Sequence, residues 1–434
     1  MGRVIRRYIL TFLLFFPILA FAVDNPLDAL RDSSELRASL VNDWFIQIPS
    51  RVLKNKALRT TLNDGSAVEV RVESAAGEFM IVVAHKQGST YPAWSADSWV
   101  LYRKTVDGSP IKIRVFLRSD PYVYVQFRPS TKEKSEMDVV AYDGYIIRSY
   151  PIPFAFTDLY TTPLRDVFSF LGDRFPWQYF NVDPRVYGDT RTLVSLIRQK
   201  LPGLSYADDG AYDDQGRRVF IKNLLPQPAP GGLNCSGFAK WVVDGLIRPE
   251  TGQRLSIEAL KKPYGDRGTS FTEPYEELRD PFFGLDWTRN LASQAWSILR
   301  GPGAPNLGDM EVQSSPISAI ILRRGNSASL RLFSGYAKDV GFEIEGLRSL
   351  LYTLAVQDPG WLYLFSVNEP QGAAPTLRQF YHVGVLIPYF TESGDFTVAV
   401  FESAAETSLD ALIKRYPGQQ INLVRVPVED RFDP

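Results

Sequence analysis

One cysteine and two histidines bound the chemistry open to this 434-residue chain. The cysteine opens the run Asn234-Cys235-Ser236-Gly237-Phe238-Ala239-Lys240-Trp241-Val242-Val243-Asp244-Gly245-Leu246. Asn234 is a good helix N-cap. Phe238, Trp241, Val242 and Leu246 recur on one face at helical spacing and would dock that helix on a core. Cys235 is therefore expected in a first helical turn, where unpaired backbone N–H groups and the helix dipole favour negative charge. A thiolate is the reactive form, and this position lowers a cysteine's pKa. Pro226, Pro228 and Pro230 with Gly231-Gly232 read as an extended loop leading into it, whose glycines let a substrate backbone approach. The other reading of a lone cysteine is a small buried hydrophobe.

A thiolate nucleophile works with a base, and the choice of histidine is binary. His85 ends Met80-Ile81-Val82-Val83-Ala84-His85, inside an N-terminal β region, and reads as a polar core residue. His382 opens Tyr381-His382-Val383-Gly384-Val385-Leu386-Ile387, a strand in the same predicted domain as Cys235. Gly384, two residues on, would leave open space on the same strand face. So few histidines, with no cysteine cluster, argue against a metal site, and no cofactor is expected.

The elements that must position these groups follow from periodicity. Residues 27–45 read as an amphipathic helix carrying Leu27, Leu30, Leu36, Leu40 and Trp44 on one face, with Pro26 at its start. Residues 66–150 alternate as a meandering antiparallel sheet, with turn signals at Asp107-Gly108 and Asp143-Gly144. Residues 151–163 read as a linker, and 164–171 and 190–201 as helices. After the cysteine helix, a helix at 287–299 and a hairpin at 317–333, turning at Gly325-Asn326-Ser327, fall in a middle segment at about 250–343. Residues 344–356 read as a helix. Strands at 361–367, 380–389, 396–402 and 421–427, with a helix at 405–416, finish the chain. The fold class expected is α+β: a β-rich N-terminal domain over residues 23–160, then a domain over 161–434 with a helix-borne cysteine packed on an antiparallel sheet.

Composition agrees with a globular protein: 45% apolar and 22% charged residues, with a formal net charge of −1. That balance offers no field to attract nucleic acid or an anionic membrane. Arg3, Arg6 and Arg7, an apolar run at 8–19 and Ala20-Phe21-Ala22 read as a secretory signal peptide over residues 1–22, cleaved after Ala22. The run is short for a membrane span, and a periplasmic or secreted location is expected. An exported protein usually spends its cysteines on disulfides, which a single cysteine cannot form within the chain.

Asn234-Cys235-Ser236-Gly237-Phe238 resembles the Asp/Asn-Cys-Ser-Gly-Phe/Leu nucleophile motif of the NlpC/P60 family of papain-like cell-wall peptidases. His382-Val383-Gly384-Val385 resembles that family's His-Val-Gly-Ile strand. Pro359-Gly360-Trp361-Leu362-Tyr363-Leu364-Phe365 looks like the Pro-Gly-Asp-Leu-hydrophobic-Phe strand before it. The three motifs occur in the family's order, over residues 203–428. Cys235 and His382 lie 147 positions apart, farther than the family usually has, so 250–343 is expected to be an insertion. Trp361 stands where the family usually has Asp.

The resemblance implies Cys235 as nucleophile, His382 as base, and a third residue on the next strand that orients the imidazole. In Phe401-Glu402-Ser403 the matching position is Glu402, able to hold the tautomer as a triad carboxylate does. A three- or five-residue turn around 392–395 puts Glu402 on the face of His382. A four-residue turn puts Phe401 and Ser403 there, because a one-residue slip flips faces. Ser236 and Gly237 are expected at the substrate. So is the family's tyrosine before the cysteine, for which Tyr206 and Tyr212 are the candidates and Tyr206 the choice.

The substrate implied is a peptidoglycan stem peptide, often at the bond from γ-D-glutamyl to a diamino acid. The β domain is expected to meet the wall or an envelope protein partner. Two other outcomes stand beside hydrolysis: an amidase or acyltransferase with the same Cys–His pair, and a non-catalytic wall-binding or envelope scaffold that keeps the fold.

Overall fold

The structure, a computed structural model, describes residues 25–75, 77–265, 280–301, 303, 305–325, 327–372 and 377–434. The expected signal peptide and Asn326 of the expected hairpin turn lie outside the described residues. Among the described residues, no helix is long and apolar enough to cross a membrane. The architecture is mixed α and β, built on two large antiparallel sheets.

The alternating N-terminal sequence folds as eight consecutive antiparallel strands: β1 (Leu58–Thr61), β2 (Ala67–Ala75), β3 (Glu78–His85), β4 (Ser98–Lys104), β5 (Pro110–Phe116), β6 (Val123–Pro129), β7 (Ser135–Ala141) and β8 (Gly144–Ile152). Period-2 alternation sends Val70, Phe79, Ile81, Leu101, Ile113 and Val125 into one core. The stretch 27–45, expected as one amphipathic helix, is not one helix. It breaks into a 3₁₀ turn (Pro26–Ala29), helix α1 (Ser34–Leu40) and a π turn (Val41–Phe45).

The stretch 151–163 is packed rather than a free linker. Phe156, Leu159 and Tyr160 are buried, and Tyr160 meets the rings of Phe45 and Trp99 edge-on. Arg37 Nη1 donates to the Leu159 and Tyr160 carbonyls at 2.9 and 3.1 Å, tying this stretch to α1.

Helices α2 (Leu164–Leu171) and α3 (Gly188–Lys200) follow, then a short hairpin, β9 (Gly210–Tyr212) with β10 (Arg218–Phe220), and helix α4 (Cys235–Thr251). Helix α5 (Phe283–Leu299) precedes the hairpin β11 (Ala319–Arg324) and β12 (Ser327–Leu332). Then come β13 (Phe342–Glu343), α6 (Leu347–Gln357), β14 (Trp361–Gln371), β15 (Leu377–Phe390), β16 (Phe396–Glu402), β17 (Ala405–Thr407), α7 (Leu409–Arg415) and β18 (Gln420–Pro427).

The second sheet runs β13-β18-β14-β15-β16-β17. Its strands alternate between two cores. Leu362, Leu364, Val385 and Val424 share one with Phe238, Val242, Trp287 and Leu291 of α4 and α5. Tyr363, Phe365, Leu386 and Val400 share the other with Leu350, Leu354, Leu409 and Leu412 of α6 and α7. The cysteine helix is therefore packed on an antiparallel sheet.

The middle segment is divided between the two sheets. Helix α5 packs on α4, and its Trp296 stacks on Trp361 at 4.9 Å while donating to the Arg425 carbonyl. The β11–β12 hairpin instead extends the N-terminal sheet, pairing Ala319 with Tyr145 and Ile320 with Gly144. Connections of the first sheet also meet the second sheet and its helix: Arg118 donates to the Gly394 carbonyl at 2.6 Å, and Tyr142 packs on Tyr352 of α6 and Phe396 of β16.

Candidate active site

The start of α4 is held from three sides. Asn234 caps it, its side chain accepting the Gly237 N–H at 2.8 Å. From α5, the Trp287 indole donates to the Ser236 carbonyl at 2.9 Å. From β9, the Gly210 carbonyl presses against Gly237 so closely that an added Cβ would stand 1.9 Å from it. Ser236 is 3% exposed and Gly237 is buried, and both seat the start of the helix. Cys235 is left at the first helical position, partly exposed.

The tyrosine that looked distant in sequence is close in space. Leu233 N–H donates to the Ser205 carbonyl at 2.8 Å, and Tyr206 bridges Leu233 in parallel, two residues before the cysteine. Tyr206 is 62% exposed. Its phenol is pushed up by burial, by Asp208 and by Cys235. Tyr212 lies in the β9–β10 hairpin, with the Arg218 and Arg254 guanidinium groups over its ring.

His382 and Glu402 come from adjacent strands, and the loop between those strands decides their faces. Phe390 pairs with Phe396, so the connection is the five residues 391–395, closed by Thr391 N–H to the Asp395 carbonyl. That odd length puts Glu402 on the face of His382. His382 Nε2 stands 2.6 Å from Glu402 Oε2, which leaves Nδ1 as the ring nitrogen for the neighbouring Cys235 thiol.

The expected open space at Gly384 is corrected. Phe365 pairs with Gly384, and a Cβ on Gly384 would stand 2.6 Å from its ring. Gly384 makes room for Phe365, whose ring packs on the His382 imidazole at 5.9 Å.

Three further groups complete the site, and none was singled out from sequence. The Val383 N–H favours the charged form of Cys235, from the stretch of β15 past its last pair with β16, Val385 with Phe401. Arg415 Nη1 donates to Glu402 Oε1 at 2.6 Å. The Tyr416 ring stands 5.6 Å from that of His382. Arg415 and Tyr416 close a predicted helix, but no spacing rule joins them to a carboxylate on an earlier strand.

The electrostatics favour an ion pair. Burial pushes the Cys235 thiol up, but the hydrogen bond and charge of His382, the Val383 N–H and the Ser236 hydroxyl outweigh it, so the thiol titrates below its usual range. Burial also works against a charged His382, yet its bonds to Cys235 and Glu402 carry it up to about 9. Glu402 is held below the usual carboxylate range: His382 and Arg415 outweigh the burial that would raise it. A thiolate facing an imidazolium is a nucleophile beside its proton donor.

His85 contrasts with this. It is buried in β3, and burial first, then Arg31, drops it to about 4, so it stays neutral in the core. Among the described residues, no group of three or more His, Cys, Asp or Glu could hold a metal ion.

Residues 26–179 match a family described as a domain of unknown function (DUF8515). That stretch, roughly a third of the chain, ends before Cys235, His382 and Glu402. No curated protein and no solved structure matches the chain.

Proposed function

We propose that this protein is an exported cysteine hydrolase that cleaves amide bonds in peptidoglycan stem peptides, and that its C-terminal half is a papain-like unit of the NlpC/P60 type. The observation that carries this reading is His382, held 2.6 Å from Glu402 and acting on the Cys235 thiol at the start of a helix docked on an antiparallel sheet. Cys235 and His382 fall within the motifs that resemble the family, and Glu402 stands at the position that matches its third residue.

In this mechanism the Cys235 thiolate attacks the amide carbonyl carbon, and the C=O electrons move onto oxygen. The Cys235 N–H at the head of α4 is placed to meet that oxyanion, a contact typically worth about 2.7–4 kcal/mol. As the C–N bond breaks, the imidazolium of His382 gives its proton to the leaving amine. His382, now neutral, takes a proton from water as the water attacks the thioester, and the thiolate leaves. Glu402 keeps the imidazole oriented through both steps. The exposed Tyr206, whose backbone runs beside Leu233, would line the approach. The N-terminal sheet would hold the enzyme against wall or envelope partner.

The test is digestion of purified muropeptides and sacculi by the full chain, read as new free amines and shorter stem peptides. The reading predicts release that Cys235→Ala abolishes. Amine release equal in Cys235→Ala, or none from either protein, contradicts it. A new amide bond without net hydrolysis would make the protein a transferase.

A further inference from the structure

Glu402 has two oxygens and two partners. Oε2 meets His382 Nε2 and Oε1 meets Arg415 Nη1, both at 2.6 Å. The chain reaches Arg415 from Glu402 by a short route. Ser403 and Ala404 turn it with φ of 50° and 64°, a left-handed conformation that neither residue type favours. Strand β17 then pairs back on β16, opposing Glu402 to Ala405. Helix α7 follows, capped by Ser408 and seated by the buried Leu409 and Leu412, and it ends at Arg415.

A packed backbone thus delivers the guanidinium to the carboxylate. The guanidinium also lies over the Tyr416 ring at 5.6 Å, and that ring faces the imidazole.

A carboxylate that orients a histidine has to stay ionised and hold one rotamer. With only one oxygen bound, it is free to swing or to protonate on the other. A guanidinium on the second oxygen opposes both. We propose that Arg415 is a positioning residue for the Cys235–His382 pair, acting through Glu402, which it fixes in place and keeps charged. This rests on the reading of Cys235 as nucleophile and deepens it. The Arg415 side chain is 44% exposed while that of Glu402 is 7% exposed, so the pair joins a buried carboxylate to a partly solvated guanidinium. The consequence is a low acid limit: Glu402 stays ionised, and His382 stays paired, at pH values where an ordinary buried carboxyl would have taken up a proton.

The test is the pH profile of Cys235 alkylation in the full chain, for wild type, Arg415→Gln, Arg415→Lys, Glu402→Gln and the double variant Arg415→Gln/Glu402→Gln. Arg415→Gln should move the acid limb to higher pH, about tenfold in rate at a given acid pH for each unit moved. Arg415→Lys should restore most of the profile. In the Glu402→Gln background, adding Arg415→Gln should change nothing further, because the two act as one unit.

An activated wild-type thiol with an unmoved profile in Arg415→Gln overturns the proposal and leaves the nucleophile reading standing. So do additive effects in the double variant, or a change confined to KM for muropeptides, which would make Arg415 a substrate contact. A wild-type thiol that is not activated at all overturns the nucleophile reading itself, and this proposal with it.

Discussion

His382 Nε2 and Glu402 Oε2 stand 2.6 Å apart, on neighbouring strands joined by a five-residue loop. That contact fixes which imidazole nitrogen faces Cys235. It also supplies part of the stabilisation that lifts His382 to about 9. Thiol and imidazole can then both be charged in the interval above the lowered thiol pKa and below that of His382.

Replacing Glu402 by Gln keeps a hydrogen-bond acceptor but removes its charge. His382 should fall from about 9 toward its ordinary value. Each unit lost narrows the ion-pair interval and costs about tenfold in thiolate population where the pair is marginal. Histidine NMR across pH measures the shift. An unchanged His382 titration would show that the carboxylate charge does not set it.

Gly237 is fixed by a backbone, not by a flexible side chain. A methyl there would stand 1.9 Å from the Gly210 carbonyl oxygen, so Gly237→Ala must separate α4 from β9. Overpacking of this kind typically costs about 1–3 kcal/mol. We expect a clear loss of stability in denaturant titration together with slower Cys235 labelling in the protein that still folds. A variant as stable and as reactive as wild type would mean that the two segments are not in contact.

The Trp287 indole donates to the Ser236 carbonyl from the neighbouring helix. Trp287→Phe keeps a six-membered aromatic ring but loses the donor and the volume of the pyrrole ring, leaving a buried carbonyl with one partner fewer and a small cavity, with the lost hydrogen bond alone at about 1–3 kcal/mol. The midpoint of chemical denaturation should fall accordingly. An unchanged midpoint would show that α5 does not anchor the start of α4.

His85 gives an acid-sensitivity of the fold rather than of the site. Both its ring nitrogens are buried without a hydrogen-bond partner, and it titrates at about 4. The unfolded chain takes up this proton below its ordinary pKa of about 6.5, and the folded chain resists it. Stability is therefore full above about pH 6.5 and falls as pH drops toward 4, with no further contribution below that. His85→Leu should flatten that part of the Tm–pH curve. An equal slope in both proteins would assign the acid sensitivity elsewhere.

Much of this arrangement is legible in local sequence. The Asn234 cap and the apolar face of Phe238, Trp241, Val242 and Leu246 define α4 because helix periodicity and capping are local. The β meander is legible for the same reason. What is hidden depends on distant partners. The face of Glu402 turns on one residue of loop length, and Arg415 reaches it only once α7 packs. Gly384 reads as open space because its occupant, Phe365, sits on another strand. Phe156 and Tyr160 read as linker because prolines flank them, yet their rings fill the core beneath Trp99. The β11–β12 hairpin is recognisable as a hairpin, but its choice of β8 as neighbour is a long-range pairing that no local pattern encodes.

The central claim is that Cys235 is a nucleophile activated by His382, and the rate of iodoacetamide alkylation across pH tests it most directly, in wild type and in His382→Ala. We predict fast labelling that sets in well below an ordinary thiol pKa of about 8.5 and that moves to higher pH in His382→Ala. Slow labelling centred near the ordinary value, and unchanged by the substitution, would contradict the account and leave Cys235 a structural residue.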